Sequence, residues 1–123
     1  MSKSKQKGTL AETAVADYLK QIFPAVERRA LNGVNDKGDI AGVPFTVVEV
    51  KNQRSYKIHE WMKETEIERQ NAGEELGVLV IKPNGVGVSN VDKWWAVVSL
   101  ETITALIEEL RVKRLQSPTD RGN

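Results

Sequence analysis

The sequence has no cysteine and a single histidine, His59. Disulfides, a thiolate nucleophile and a cysteine-built zinc site are therefore excluded, and so is chemistry that needs two histidines. No apolar run approaches the roughly 18 residues that a membrane span requires. The opening "MSKSKQKGTL" is basic, but no apolar region of the signal-peptide kind follows it. The expectation is a soluble, cytoplasmic protein without membrane partners. Net charge is also scarce, at +1, yet it is unevenly spread. Residues 1 to 57 carry ten Lys or Arg against six Asp or Glu, residues 58 to 110 four against ten, and residues 111 to 123 four against one. A basic region that shares its segment with carboxylates suits a polyanion held near a metal-binding centre; as ordinary solvated surface it would need no partner.

With 123 residues and 40% hydrophobic composition, the chain fits one domain with a modest core. Residues 1 to 7 read as a flexible basic tail, 8 to 116 as the domain, and "SPTDRGN" at 117 to 123 as a frayed end. Apolar residues at helical spacing, Leu10, Val15, Tyr18, Leu19 and Ile22, predict a helix from Thr9 to about Phe23, ended by Pro24. "AVERRAL" reads as a strand, "NGVNDKG" as a loop, and residues 38 to 51 as a hairpin turning near Gly42 to Pro44. A helix over Ile58 to Ala72, strands at "GVLVIK" and "KWWAVVSL", and a last helix from about Ser99 complete the pattern. The order αβββαββα predicts an α/β fold, a single mixed sheet flanked by helices.

The hairpin, "GDIAGVPFTVVEVK", interrupts its apolar pattern with three charges. Strand alternation puts Phe45, Val47, Glu49 and Lys51 on one side and Thr46, Val48 and Val50 on the other. Pairing across the turn brings Asp39 close to Glu49. Two adjoining carboxylates repel, and half-burying them is costly unless a cation or a proton intervenes. Hard oxygen donors of this kind hold magnesium, and a lysine further along the row suits orienting or deprotonating a water, or stabilising charge on a phosphate. Taken alone, E-x-K near a strand end also reads as a surface ion pair worth under about 1 kcal/mol. Glu12 supplies an independent signal. It lies seven residues before Leu19, so the two point within about 20° of each other, at the edge of the buried stripe. Thr9-Leu-Ala-Glu12 also matches a capping box, a competing role for the same glutamate.

These residues resemble the PD-(D/E)xK nuclease superfamily, and most closely its archaeal-type Holliday-junction resolvases and their phage relatives. The likeness spans roughly residues 7 to 82 and rests on "KGTLAETAVADYL", "RRALNG", "GDIAG", "VVEVK" and a helix containing Trp61 and Gln70. Gly38 stands where the superfamily's name has proline, and the loop between Arg29 and Asp39 is short and lacks a serine. The resemblance implies a restriction-endonuclease-like core of αβββαβ order with a C-terminal helix. It also implies a Mg²⁺-dependent endonuclease, with Mn²⁺ substituting, of DNA recombination and repair. Glu12, Asp39, Glu49 and the carbonyl of Val50 would bind metal, and Lys51 would be the catalytic lysine. The products would carry 5′-phosphate and 3′-hydroxyl ends. Lys3, Lys5, Lys7, Arg28, Arg29, Arg54, Lys57 and Gln70 are the candidate DNA contacts, each with an alternative as an ordinary surface residue. Resolving a four-way junction takes two symmetric cuts, which a homodimer supplies. "KWWAVVSL" and the last helix offer apolar residues for that interface, although Trp94 and Trp95 also suit core and edge packing. A nuclease of the same superfamily acting on linear, nicked or flapped DNA, and a non-catalytic DNA-binding module, are the alternatives.

Overall fold

The computed structural model describes residues 2–29 and 37–116. The expected loop after Arg29 lies largely, and the C-terminal tail wholly, outside them. Helix α1 (Lys3–Lys20) is followed by β1 (Glu27–Arg28), β2 (Ile40–Ala41) and β3 (Thr46–Lys51). Then come α2 (Ile58–Ala72), β4 (Leu76–Ile81), 3-10 turns over Val88–Lys93, β5 (Trp95–Val97) and α3 (Leu100–Gln116). The strands form one sheet in the order β1-β2-β3-β4-β5. Only β3 and β4 pair in parallel, joined by the α2 crossover, and every other neighbour is antiparallel. This is the mixed α/β sheet expected from the sequence. Among the described residues no helix is long and apolar enough to cross a membrane.

Two apolar clusters sandwich the sheet. On one face Ala11, Val15 and Ala16 of α1 meet Ile40, Val48 and Val50; on the other Trp61 of α2 meets Leu79 and Ile81. Strand alternation explains the division, because Val48 and Val50 point one way and Val47, Glu49 and Lys51 the other.

Several elements depart from the sequence reading. Helix α1 begins at Lys3, where the Ser2 hydroxyl caps it by accepting from the Lys5 N–H at 3.2 Å. Thr9 is thus mid-helix, and the capping role considered for Glu12 is removed. Phe45 leaves the expected row: it sits in the turn with φ 63° and its side chain is exposed, so the row begins at Val47. β5 covers three residues only. Its neighbour Trp94 is buried, donating its indole N–H to the Gly87 carbonyl at 3.2 Å. The last helix does not pack on the sheet, since no residue of α3 is buried.

Two glycines set the hairpin's geometry. Gly42 has φ 89°, and a Cβ there would lie 2.3 Å from the Ala25 carbonyl oxygen. Gly38 has φ 94° and would place a Cβ 2.7 Å from Val47 Cγ1. Proline is locked near φ −65°, so it could not follow the backbone path of Gly38. The chain enters Asp39 through a left-handed residue. Gly38→Pro is therefore expected to lower stability by about 3 kcal/mol or more, read as a drop in melting temperature. An unchanged melting temperature would contradict this backbone path.

Candidate active site: a buried carboxylate pair in an open cavity

The hairpin register decides the site. Ile40 pairs with Val48, and the Asp39 N–H donates to the Val48 carbonyl at 2.9 Å. One step further along the ladder, Asp39 stands across from Glu49, as the sequence predicts. The Asp39 carboxylate accepts the Val50 N–H on Oδ2 at 2.8 Å, which fixes its position. Asp39 and Glu49 are each only 5% exposed.

Such burial is electrostatically expensive. Glu49 Oε1 is buried and meets no hydrogen-bond partner. Loss of solvent is the main cause that drives the Glu49 carboxyl up, followed by the charge and hydrogen bond of Asp39 and the charge of Glu68; Lys51 opposes them. The result is about 10 from an ordinary 4.5. Without a cation the pair is therefore reconciled by a proton on Glu49 at neutral pH.

Lys51 ends the same row. Its Nζ lies 3.5 Å from Glu49 Oε2 but 2.9 Å from Glu64 Oε2 on α2, and 5.9 Å from the centre of the Trp61 ring. Burial pulls the Lys51 pKa down, yet the hydrogen bond to Glu64 and the charges of Glu49, Glu64 and Asp39 outweigh it, and the net shift is upward. Lys51 is thus a stable ammonium. Of the roles open to it from sequence, orienting a water or stabilising negative charge fits, and taking a proton does not.

These groups open into a cavity of about 860 Å³ that also takes in Glu12, Val50, Lys7 and Arg54. Glu12 reaches it from α1, with the Arg28 Nε–H donating to its Oε1 at 3.0 Å. Lys3, Lys5 and Lys57 are exposed and outside the lining. Arg29 is half-buried beside the hairpin, its N–H donating to the Asp39 carbonyl at 2.7 Å. Gln70 is not part of the cavity; it donates to Glu66 on the outer side of α2, and its neighbour Asn71 lines the cavity instead.

The sequence reading gave α2 only Gln70 at the site and missed the residues of that helix which line the cavity. Glu64, Glu68 and Asn71 all line the cavity, and Glu68 is only 5% exposed. Their spacing of four and three residues was a readable signal, since it places them on one helix face with the large apolar Trp61.

Among the described residues, no group of three or more His, Cys, Asp or Glu side chains is assembled to hold a metal ion. The pair itself has the chemistry of a hard-cation site: two adjoining carboxylates, one with an orphaned buried oxygen. Completing it requires a further oxygen, and Glu12 across the cavity is the candidate, at the expense of its bond to Arg28.

Comparison of the chain with protein-family models, curated proteins and solved structures finds no match. The resemblance drawn from the sequence rests on the residues themselves.

The proton on Glu49 has a measurable consequence. Because its folded pKa is raised, the native state holds a proton that the unfolded chain releases, so stability contributed below about 4.5 is lost progressively as pH climbs towards about 10. Glu49→Gln mimics the protonated form. It is expected to flatten the decline in stability across that window and to raise the metal-free melting temperature at pH 8. Parallel stability-versus-pH curves for the two proteins would show that Glu49 does not carry the proton.

Proposed function

We propose that this chain is a divalent-metal-dependent DNA endonuclease that resolves four-way junctions inside the cell. The observation that carries the reading is the buried Asp39–Glu49 pair with the Lys51 ammonium beside it, facing an open cavity that includes Lys7 and Arg54. The pair is buried, yet it lines an open cavity shared with cationic side chains, where a cation can replace the proton that otherwise reconciles it. The resemblance to the resolvases selects branched DNA from among nucleic acids.

Asp39, Glu49, Glu12 and the Val50 carbonyl would hold Mg²⁺, with Mn²⁺ as a substitute. When bound, the ion supplies Lewis acidity and a nucleophilic water for in-line attack, leaving 5′-phosphate and 3′-hydroxyl ends. Lys51 contributes a fixed positive charge that orients the water or meets a non-bridging phosphate oxygen. Arg28 offers its guanidinium to an incoming phosphate, and that exchange releases Glu12 towards the carboxylate pair. Lys3, Lys5, Lys57 and Arg29 add backbone attraction without reading sequence. A two-fold homodimer presents two such sites to one junction.

The direct test is Mg²⁺-dependent cleavage of a four-way junction beside a linear duplex of the same sequence. Selective junction cutting supports the reading, cutting of both substrates equally favours a general nuclease, and no cutting with Mg²⁺ or Mn²⁺ sinks it. Lys51→Ala is expected to slow cleavage by about 10²-fold or more while junction binding, measured by gel shift, stays nearly unchanged. With the capping role gone, Glu12→Gln separates ligand from bystander. It is expected to fold normally and bind junctions, but to cut slowly at limiting Mg²⁺ with partial rescue by Mn²⁺. Full activity at limiting Mg²⁺ would leave Asp39, Glu49 and Lys51 as the whole site.

A further inference from the structure

Of the three tryptophans, Trp61 and Trp94 are 3% and 7% exposed, whereas Trp95, on the edge strand β5, is 47% exposed. Strand register places it relative to the candidate site. Ile81 pairs with Lys51 on one side and with Trp95 on the other, so the three side chains project from one face of the sheet. That is the face of Glu49 and Lys51. At about 4.8 Å between neighbouring strands, the backbone of Trp95 lies about 10 Å from that of Lys51.

A second ring steadies the indole. Tyr56 packs against the cluster of Trp61, Leu79 and Ile81, and its hydroxyl accepts the Asn84 N–H at 2.7 Å. Its ring meets Trp95 edge to face, with 5.6 Å between centres and 72° between planes. The Asn84 side-chain amide donates to the Arg54 carbonyl at 2.9 Å, which ties the aromatic pair to a residue that lines the cavity. The two stretches that supply these residues are cationic. Residues 51–60 and 82–97 carry Lys51, Arg54, Lys57, Lys82 and Lys93 against Glu60 and Asp92. An exposed ring held by another ring, in positively charged surroundings, has the chemistry of a base-stacking site. Paired and stacked bases hide their faces, so the surface fits a strand with an unpaired base.

We propose that Trp95 stacks an unpaired base of the DNA strand whose backbone passes Lys51. The proposal rests on the DNA-cleaving reading above and adds a substrate class to it, DNA whose strand is opened next to the cut. Metal is left out of the test so that binding is read without cleavage. The tryptophan emission of the full chain is expected to fall on titration with an oligothymidylate. Heparin, a polyanion without bases, is expected to bind without this quenching. Because Trp61 and Trp94 are buried, the change reports Trp95. Trp95→Leu keeps an apolar side chain but has no ring. It is expected to lose the quenching and to bind the oligothymidylate about tenfold more weakly, with heparin affinity unchanged and the near-ultraviolet signal of Trp61 and Trp94 retained. Should that variant not fold, the wild-type comparison of oligothymidylate with heparin decides alone. Oligothymidylate binding that leaves wild-type emission unchanged overturns the proposal, as does unaltered affinity in a folded Trp95→Leu. Emission that shifts with protein concentration and ignores the oligonucleotide assigns Trp95 to a contact between copies, and overturns it too. Selective junction cutting beside any of these results leaves the nuclease reading standing, whereas failure to bind any DNA removes both.

Discussion

Two carboxylates, Asp39 and Glu49, are held side by side under the surface of a small protein, and the surrounding structure is arranged around that electrostatic conflict. Water normally dissipates such repulsion. Here the hairpin backbone fixes Asp39 through the Val50 N–H, leaves one oxygen of Glu49 without a partner, and lets a proton or a cation settle the difference. A core residue in either position would stabilise the fold more simply. Retaining the pair makes sense when the conflict itself is used, as it is wherever a dication must be attracted.

The rest of the site follows from sheet geometry. The period of two along β3 gives one face to the α1 cluster and the other to Glu49 and Lys51. α1 reaches the cavity with Glu12 near its middle, and α2 closes the opposite side with Glu64 and Glu68. Three separate elements thus place acid groups around one lysine. The acidic surplus of residues 58 to 110 is partly the visible trace of this arrangement. Glu64 holds Lys51 more closely than Glu49 does, so the lysine is shared between a buried and an exposed carboxylate. Being half exposed, the Glu64 bond is worth no more than about 1 kcal/mol.

How much of this was legible in the sequence depended on whether local chemistry was in control. The order of elements, the span of α2 and the juxtaposition of Asp39 and Glu49 were readable, because strand alternation and a two-strand turn leave few alternatives. The start of α1 was missed because the lysine-rich opening looked unfit for packing, whereas a serine cap and solvated lysines suffice to extend a helix. Phe45 was misassigned to the strand because alternation cannot reveal a left-handed backbone, which here directs the Phe45 carbonyl to the N–H groups of Glu75 and Leu76. The backbone of Gly38 was invisible for the same reason. Glu68 was overlooked because a glutamate in an acidic helix reads as surface, and only tertiary packing buries it. That no residue of α3 would be buried among the described residues was beyond the reach of periodicity.

The parallel pairing of β3 with β4 bears on the order in which the molecule assembles. Residues 39 and 49 meet through a short local turn, but Glu49 pairs with Leu79 thirty positions away, and that contact closes only after α2 has folded across the sheet. Non-local parallel contacts of this kind come late, since the entropy of closing the connection must be met first. The desolvation that drives Glu49 to hold a proton thus depends on contacts far apart in the sequence and not on the hairpin alone, so the pH sensitivity of this pair belongs to the assembled sheet.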